Sequence, residues 1–342
     1  MPVPAADPRA LPDLAVRTLG GGVVWANDEL FAGRENLVNP WPPSFTPRTF
    51  GAKGQVYDGW ETRRRREPGH DAAIVRLGIP GLVHLVVVDT THFTGNSPTS
   101  ASIEALCRDG HPSADDLRAA TWTPLVPRSP LRPDGANAFP VASDRRWTHI
   151  RLTIHPDGGV ARLRVHGEAV ADPHLVAALG TVDLVGVGVG GRVIRCSNRF
   201  YGEPQRLIEP GPARSMGEGW ETARRRGPGN DWVELRLAAR GTVRVAELDT
   251  TWFLGNAPAF AALSAYDGPG DPPGDTSWRP LLPRTPLQPD TRHLIVIDAA
   301  DPATHVRLDI HPDGGMARLR LWGTPTGDGL AALHSRWQAT AP

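Results

Sequence analysis

The 342 residues carry 37 Lys and Arg against 37 Asp and Glu, a formal net charge of zero. That balance excludes the basic excess of a nucleic-acid binder. No apolar run approaches the roughly 20 residues of a membrane span, and Met1 to Gly20, with prolines and two aspartates, lacks the apolar stretch of a signal peptide.

Gly and Pro are abundant, at 37 and 35, and long helical periodicity is scarce. The chain therefore reads as all-β with many turns, long enough for two domains that each bury a core. Cys107 and Cys196 are far apart and in no metal-like spacing. They read as free thiols in a reducing compartment, and the expected location is cytoplasmic.

Residues 1–18 read as a loose polar arm. Gly20-Gly21-Gly22 then leads into Val23 to Asp28 and Phe31-Ala32-Gly33. Next comes Asp58-Gly59-Trp60-Glu61-Thr62 followed by four arginines, Arg63 to Arg66, and then Pro68-Gly69-His70-Asp71. Ala72 to Gly78 and Leu82 to Val88 read as two strands turned at Gly81. They end in Asp89-Thr90-Thr91-His92-Phe93-Thr94-Gly95-Asn96. Prolines punctuate Thr121 to Pro130, which reads as an extended surface loop. Thr148 to Val165 alternates on either side of Pro156-Asp157-Gly158-Gly159 and reads as a β-hairpin.

The chain then writes all of this again. Glu218-Gly219-Trp220-Glu221-Thr222-Ala223-Arg224-Arg225-Arg226 repeats the first block at an offset of 160 residues (218 minus 58), and Asn230-Asp231 follows. Asp249 to Asn256 repeats the second block, Ser277 to Pro286 the proline-rich stretch, and Thr304 to Leu321 the hairpin. A period this long is a duplicated domain rather than a solenoid. The organisation predicted is one jelly-roll β-sandwich over 15–167, a linker over 168–188 containing a short helix at Pro173 to Leu179, and a second sandwich over 189–338.

Gly-Trp-Glu-Thr-x-Arg-x-Arg with Gly-His-Asp or Gly-Asn-Asp, then Asp-Thr-x-x-Phe-x-Gly-Asn, then Pro-Asp-Gly-Gly-x-Ala-Arg-Leu-Arg, in that order and twice over, resembles the allantoicase family. The resemblance runs from about Ala15 to Gly323. It implies two galactose-binding-like jelly-roll repeats and hydrolysis of allantoate to ureidoglycolate and urea in purine breakdown. His155 and His311 stand where that family usually carries an aromatic or apolar residue, which argues against a catalytic role for either.

The chemistry implied needs a carboxylate clamp, an acid, a base, and acceptors for urea N–H groups. Arg64 and Arg66, with Arg224 and Arg226, suit the clamp, because a guanidinium fork matches a carboxylate. Alternation on an extended segment puts Arg63 and Arg65 on the other face. Glu61 and Asp71 are candidate proton carriers, held ionised by the neighbouring arginines. His70 and His92 titrate near neutral pH; their counterparts Asn230 and Trp252 do not, so the chemistry is expected in the first copy. Trp60, Asp89, Asn96, Trp220 and Glu221 complete the candidate substrate contacts. The tryptophans also suit a core, and Asp89 and Asn96 suit turns.

No cofactor is expected. A mixed divalent-metal site at His70, Asp71, Asp89 and His92 is the alternative, though their spacing fits no standard ligand set. The expected partner is allantoate, with no nucleic acid or membrane, in a homo-oligomer. The reading from a different class is a duplicated jelly-roll module that binds a small anion or carbohydrate without catalysis.

Overall fold

The computed structural model describes residues 8–274, 277–298 and 301–341. The chain forms two compact units, one running to Glu168 and rejoined by Thr340, the other Ala169–Ala339. Each is a mostly β jelly roll with the same strand plan, and the second also carries the helix Gly327–Ala339.

The plan turns on one strand. Asp71–Asp89 is continuous over 19 residues, where two strands were expected, and Gly81 is not a turn. The first half pairs with Gly22–Ala26 on one side and Arg146–His155 on the other. Arg146–His155 carries the sheet on to Ser100–Leu106 and Thr123–Pro130. The second half pairs with Ala136–Pro140 and with Arg162–Ala169. A register irregularity between Arg76 and Gly81 marks where the strand leaves one layer for the other. Irregularities of this kind bend a strand and raise its twist.

The bend brings both strand ends back to one place. Asp71 lies opposite Ile154, and the carbonyl of Asp89 accepts from the Ala161 amide at 2.7 Å. The Pro156-Asp157-Gly158-Gly159 turn joins those two partners. The expected hairpin is therefore not a two-stranded ladder: its strands pair with different halves of the long strand. The second unit repeats this, with Asp231 opposite Ile310 and Asp249 opposite Arg318 across the long strand Asp231–Asp249.

Three further expectations are corrected. The proline-rich stretches form edge strands, Thr123–Pro130 and Arg279–Pro286, whose register slips by bulges against their single neighbour. An edge position lets proline's missing donor face outward. The expected linker is folded into the second unit: Pro173–Leu179 is a helix capped by Asp172, and Val182-Asp183 pairs with Trp322-Gly323. The N-terminal arm is packed where it is described. Leu14 and Ala15 are fully buried, and Asp13 holds the Val165 amide at 2.9 Å. Residues 1–7 lie outside the described residues. No helix among the described residues is long and apolar enough to cross a membrane.

His149 and His305 occupy twin positions in the two units, 1% and 2% exposed. Each Nδ1 meets the hydroxyl of the preceding threonine, at 2.8 and 2.9 Å. Burial is the main cause that lowers each pKa to about 4. The folded value is therefore below the unfolded one, and the unfolded chain binds more protons between about pH 6.5 and 4. Stability is full above that window and falls as pH drops through it. The loss is about 2 kcal/mol per histidine by pH 5. Urea melts at pH 7 and pH 5 should show it, with His149→Gln flattening the dependence in the first unit. Equal midpoints at the two pH values would contradict it.

Candidate functional site

Two loops of the first unit converge on the turn at 156–159, and a third backs one of them. Trp60-Glu61 forms a two-residue strand against Gly159-Val160. On its other side the Glu61 backbone exchanges hydrogen bonds with Phe31 and Ala32. Thr62 and Gly158 are tied by reciprocal bonds of 3.1 Å. The Asn96 carbonyl accepts from the Gly159 amide at 2.8 Å. A Cβ on Gly159 would lie 2.0 Å from the Phe93 ring, so only glycine lets the turn sit this close to the Asp89–Asn96 loop. Buried Arg162 fixes the entry to the block, bonding both the carboxylate and the carbonyl of Asp58 at 2.7 and 3.0 Å.

This convergence sets Glu61 against Asn96. The Asn96 amide donates to Glu61 Oε1 at 2.6 Å, and Glu61 is 9% exposed. Burial pushes its pKa up, partly offset by the Asn96 hydrogen bond. No arginine ion-pairs with Glu61 among the described residues. Burial, rather than an arginine, thus dominates its environment and makes the carboxyl harder to ionise, against the expectation that arginines hold it ionised. The second unit reproduces the pair: Asn256 donates to Glu221 Oε1 at 2.7 Å.

The arginine block divides differently from strand alternation. Arg65, expected to point away, is the one drawn in. It pairs with Asp71 at 2.6 Å, and its amide donates to Asp157 at 2.8 Å. Asp71 is 1% exposed and also accepts from Asn27 at 2.8 Å. Its other oxygen is buried without a partner. Asp71 is thus taken up in a buried structural pair with Arg65 rather than left open to a ligand. The twin set is Arg225 with Asp231 and Asp313, Ser197 taking the place of Asn27. Arg63 pairs with Asp28. Arg64 and Arg66 are exposed, as are Arg224 and Arg226, and no contact among the described residues engages these four guanidinium groups.

Trp60 and Trp220 are fully buried, with each indole N–H bonded to the carbonyl of Asp28 or Asn198. Neither offers a face to a ligand, which corrects their assignment as substrate contacts. Asp89 caps its own turn through Thr91, at 2.6 and 2.9 Å, so it positions the loop. His92, at φ 71°, stacks on Phe45 with ring centroids 5.7 Å apart. His70 is exposed, and its ring lies 5.6 Å from that of His155. Neither histidine has a hydrogen bond to Glu61 among the described residues. His70, Asp71, Asp89 and His92 are not gathered into a ligand set, and no group of three or more His, Cys, Asp or Glu among the described residues is placed to hold a metal ion.

Sequence reasoning missed Arg65, Asn27 and the clamping role of Asp157. Their signal was present: each has a polar twin in the second copy, at 225, 197 and 313.

A family model described as the allantoicase repeat matches residues 12–170 and again residues 182–326. The chain belongs to the allantoicase family. A probable allantoicase of Nocardia farcinica is 59% identical over 316 residues, covering 92% of this chain and 94% of that one. The allantoicase of Dictyostelium discoideum is 41% identical over 311 residues, covering 89% and 84%. The crystal structure of the Saccharomyces cerevisiae allantoicase matches with a TM-score of 0.75 at 33% identity, over 91% of this chain and 92% of that chain. The two allantoicase repeats account for both structural units.

Proposed function

We propose that this protein hydrolyses allantoate to ureidoglycolate and urea, at the end of the first sandwich where Glu61 meets Asn96 and the chain runs on into the exposed Arg64 and Arg66. The observation that carries the proposal is the buried Glu61 carboxyl held by Asn96 through one oxygen, 2.6 Å away. With Oε1 engaged by Asn96, Oε2 is the oxygen left to carry and pass a proton. As the C–N bond breaks, its electron pair goes to the urea nitrogen, which takes the Glu61 proton. Water adds its oxygen to the carbon and returns a proton to the Glu61 carboxylate, so the enzyme ends as it began. Arg64 and Arg66 receive the substrate carboxylate, since their forks are unspent. Asp71, Arg65 and Asp157 hold the block in place.

A carbohydrate-binding module would present aromatic platforms at these loops. Here the doubled tryptophans Trp60 and Trp220 are core, and four doubled guanidinium groups are exposed alongside Phe31 and Tyr201, which favours an anionic substrate. A cytoplasmic location and assembly as a homo-oligomer belong to the same reading.

Arg64→Lys and Arg66→Lys test the clamp. Each keeps the charge and loses the fork, and each should raise KM by about 10- to 100-fold, the equivalent of roughly 1.5–3 kcal/mol, with kcat less affected. Steady-state urea release measures it. Unchanged KM in both variants would remove these arginines from the site.

A further inference from the structure

The outer sheet face of the first unit carries a cleft of about 510 Å³ whose lining does not include Glu61 or Asn96. Its floor includes Ala72, and its walls include Trp25, His70, Ser102, Glu104, Arg151 and His155. Alternation along the long strand explains the separation. Residues 70, 72 and 74 face this cleft, while Asp71 faces Arg65.

The second unit shows what fills the same place. Ala72 plus the repeat offset of 160 is Trp232. Both occupy the same register: Ala72 is opposite Thr153, and Trp232 is opposite Asp309. Arg307 lies with its guanidinium 4.6 Å from the Trp232 ring centroid. The first-unit counterpart of Arg307 is Arg151, opposite Ile74 as Arg307 is opposite Glu234. Arg195, pairing with Glu234, stands where Trp25 pairs with Ile74. One repeat thus fills this position with a flat indole under a guanidinium. The other has alanine at this position, and its guanidinium, Arg151, lies instead 4.9 Å from the Trp122 ring centroid.

We propose that the first-unit cleft is a second ligand site, separate from the reaction site, that takes a flat ring carrying a negative charge. The ring occupies the room that Trp232 fills in the second unit. The charge is set by the walls: Glu104 pairs with Arg151 at 2.6 Å, while Arg118 pairs with the exposed Asp115 at 3.0 Å, a surface pair of little worth that a bound carboxylate displaces. Ser102 and His155, 3.4 Å apart, add polar groups at the inner wall. Trp25 and Val126 supply the apolar surface for the ring. This inference does not rest on the allantoate reading.

The test uses indole-3-carboxylate as probe, since it joins a tryptophan-sized ring to a carboxylate. Calorimetry on the intact protein should show one site. Ala72→Trp, which copies the second unit, should weaken binding by about tenfold or more, while urea release from allantoate stays within about twofold. Neutral indole should bind more weakly than the carboxylate. Binding that is absent at millimolar probe, or equal in Ala72→Trp, overturns the proposal. Turnover lost together with binding in a folded Ala72→Trp protein overturns the separateness of the site. Should that variant not fold, the His70 and His155 imidazole resonances of the unaltered protein decide: shifts on adding probe support the site, and unmoved resonances overturn it.

Discussion

Glu61→Gln is expected to lower kcat for urea release by about 10²–10⁴-fold. The substitution keeps the shape and the Asn96 contact but removes the proton that the leaving nitrogen needs. KM should change little, because the carboxylate of the substrate is held by arginine rather than by Glu61. Glu221→Gln is the matched control. Glu221 makes the same bond to Asn256, but it is only half-buried where Glu61 is buried. The first copy is therefore expected to carry most of the turnover, and Glu221→Gln to cost less. Loss of activity in Glu221→Gln with retention in Glu61→Gln would reverse the assignment. The pH profile offers an independent check. An acid must be protonated, so kcat/KM should decline as pH rises through the raised Glu61 pKa. Asn96→Ala removes the hydrogen bond that lowers that pKa, so the decline should move to higher pH.

Arg65→Ala should cost the protein about 3 kcal/mol of stability. The reason lies in what remains. Asp71 is 1% exposed, and without Arg65 its charge keeps only the Asn27 contact. Removing one partner of a buried pair leaves an uncompensated charge, which is dearer than the pair was worth. Arg65 keeps 28% of its side chain exposed, so the figure stays at the low end of the range for such pairs. Arg65→Lys should lose less, since an ammonium still neutralises Asp71. Denaturant melts measure both. Arg64→Ala, without a partner among the described residues, should melt like the unaltered protein. Equal losses for Arg64→Ala and Arg65→Ala would show that the Asp71 pair is not what separates these neighbours.

The division of the arginine block is also where sequence reasoning reached its limit. The doubled Trp-Glu-Thr and Asp-Thr-x-x-Phe-x-Gly-Asn stretches were legible as one unit because both copies keep them at the same offset. The structure joins them through Glu61 and Asn96. Which arginine faces inward was not legible. Alternation requires an extended strand, and only Trp60-Glu61 is paired as one; beyond it the chain is a loop whose direction is set by Asp157 and Asp71. Those acceptors lie 92 and 6 residues away from Arg65, so no local rule reaches the first of them. The continuous strand through Gly81 was hidden for a similar reason. A glycine within an apolar run reads equally as a turn or as the bend of a strand shared by two layers, and only the pairing partners decide. Proline density misled in the opposite direction, because an edge strand tolerates the donors that proline lacks.

The central claim is that a buried carboxyl at Glu61 hydrolyses allantoate. Incubating the purified protein with allantoate and following urea and ureidoglycolate together tests it most directly. The account predicts one urea and one ureidoglycolate for each allantoate consumed, and loss of both products in Glu61→Gln. Allantoate recovered intact, or turnover undiminished in Glu61→Gln, would contradict it.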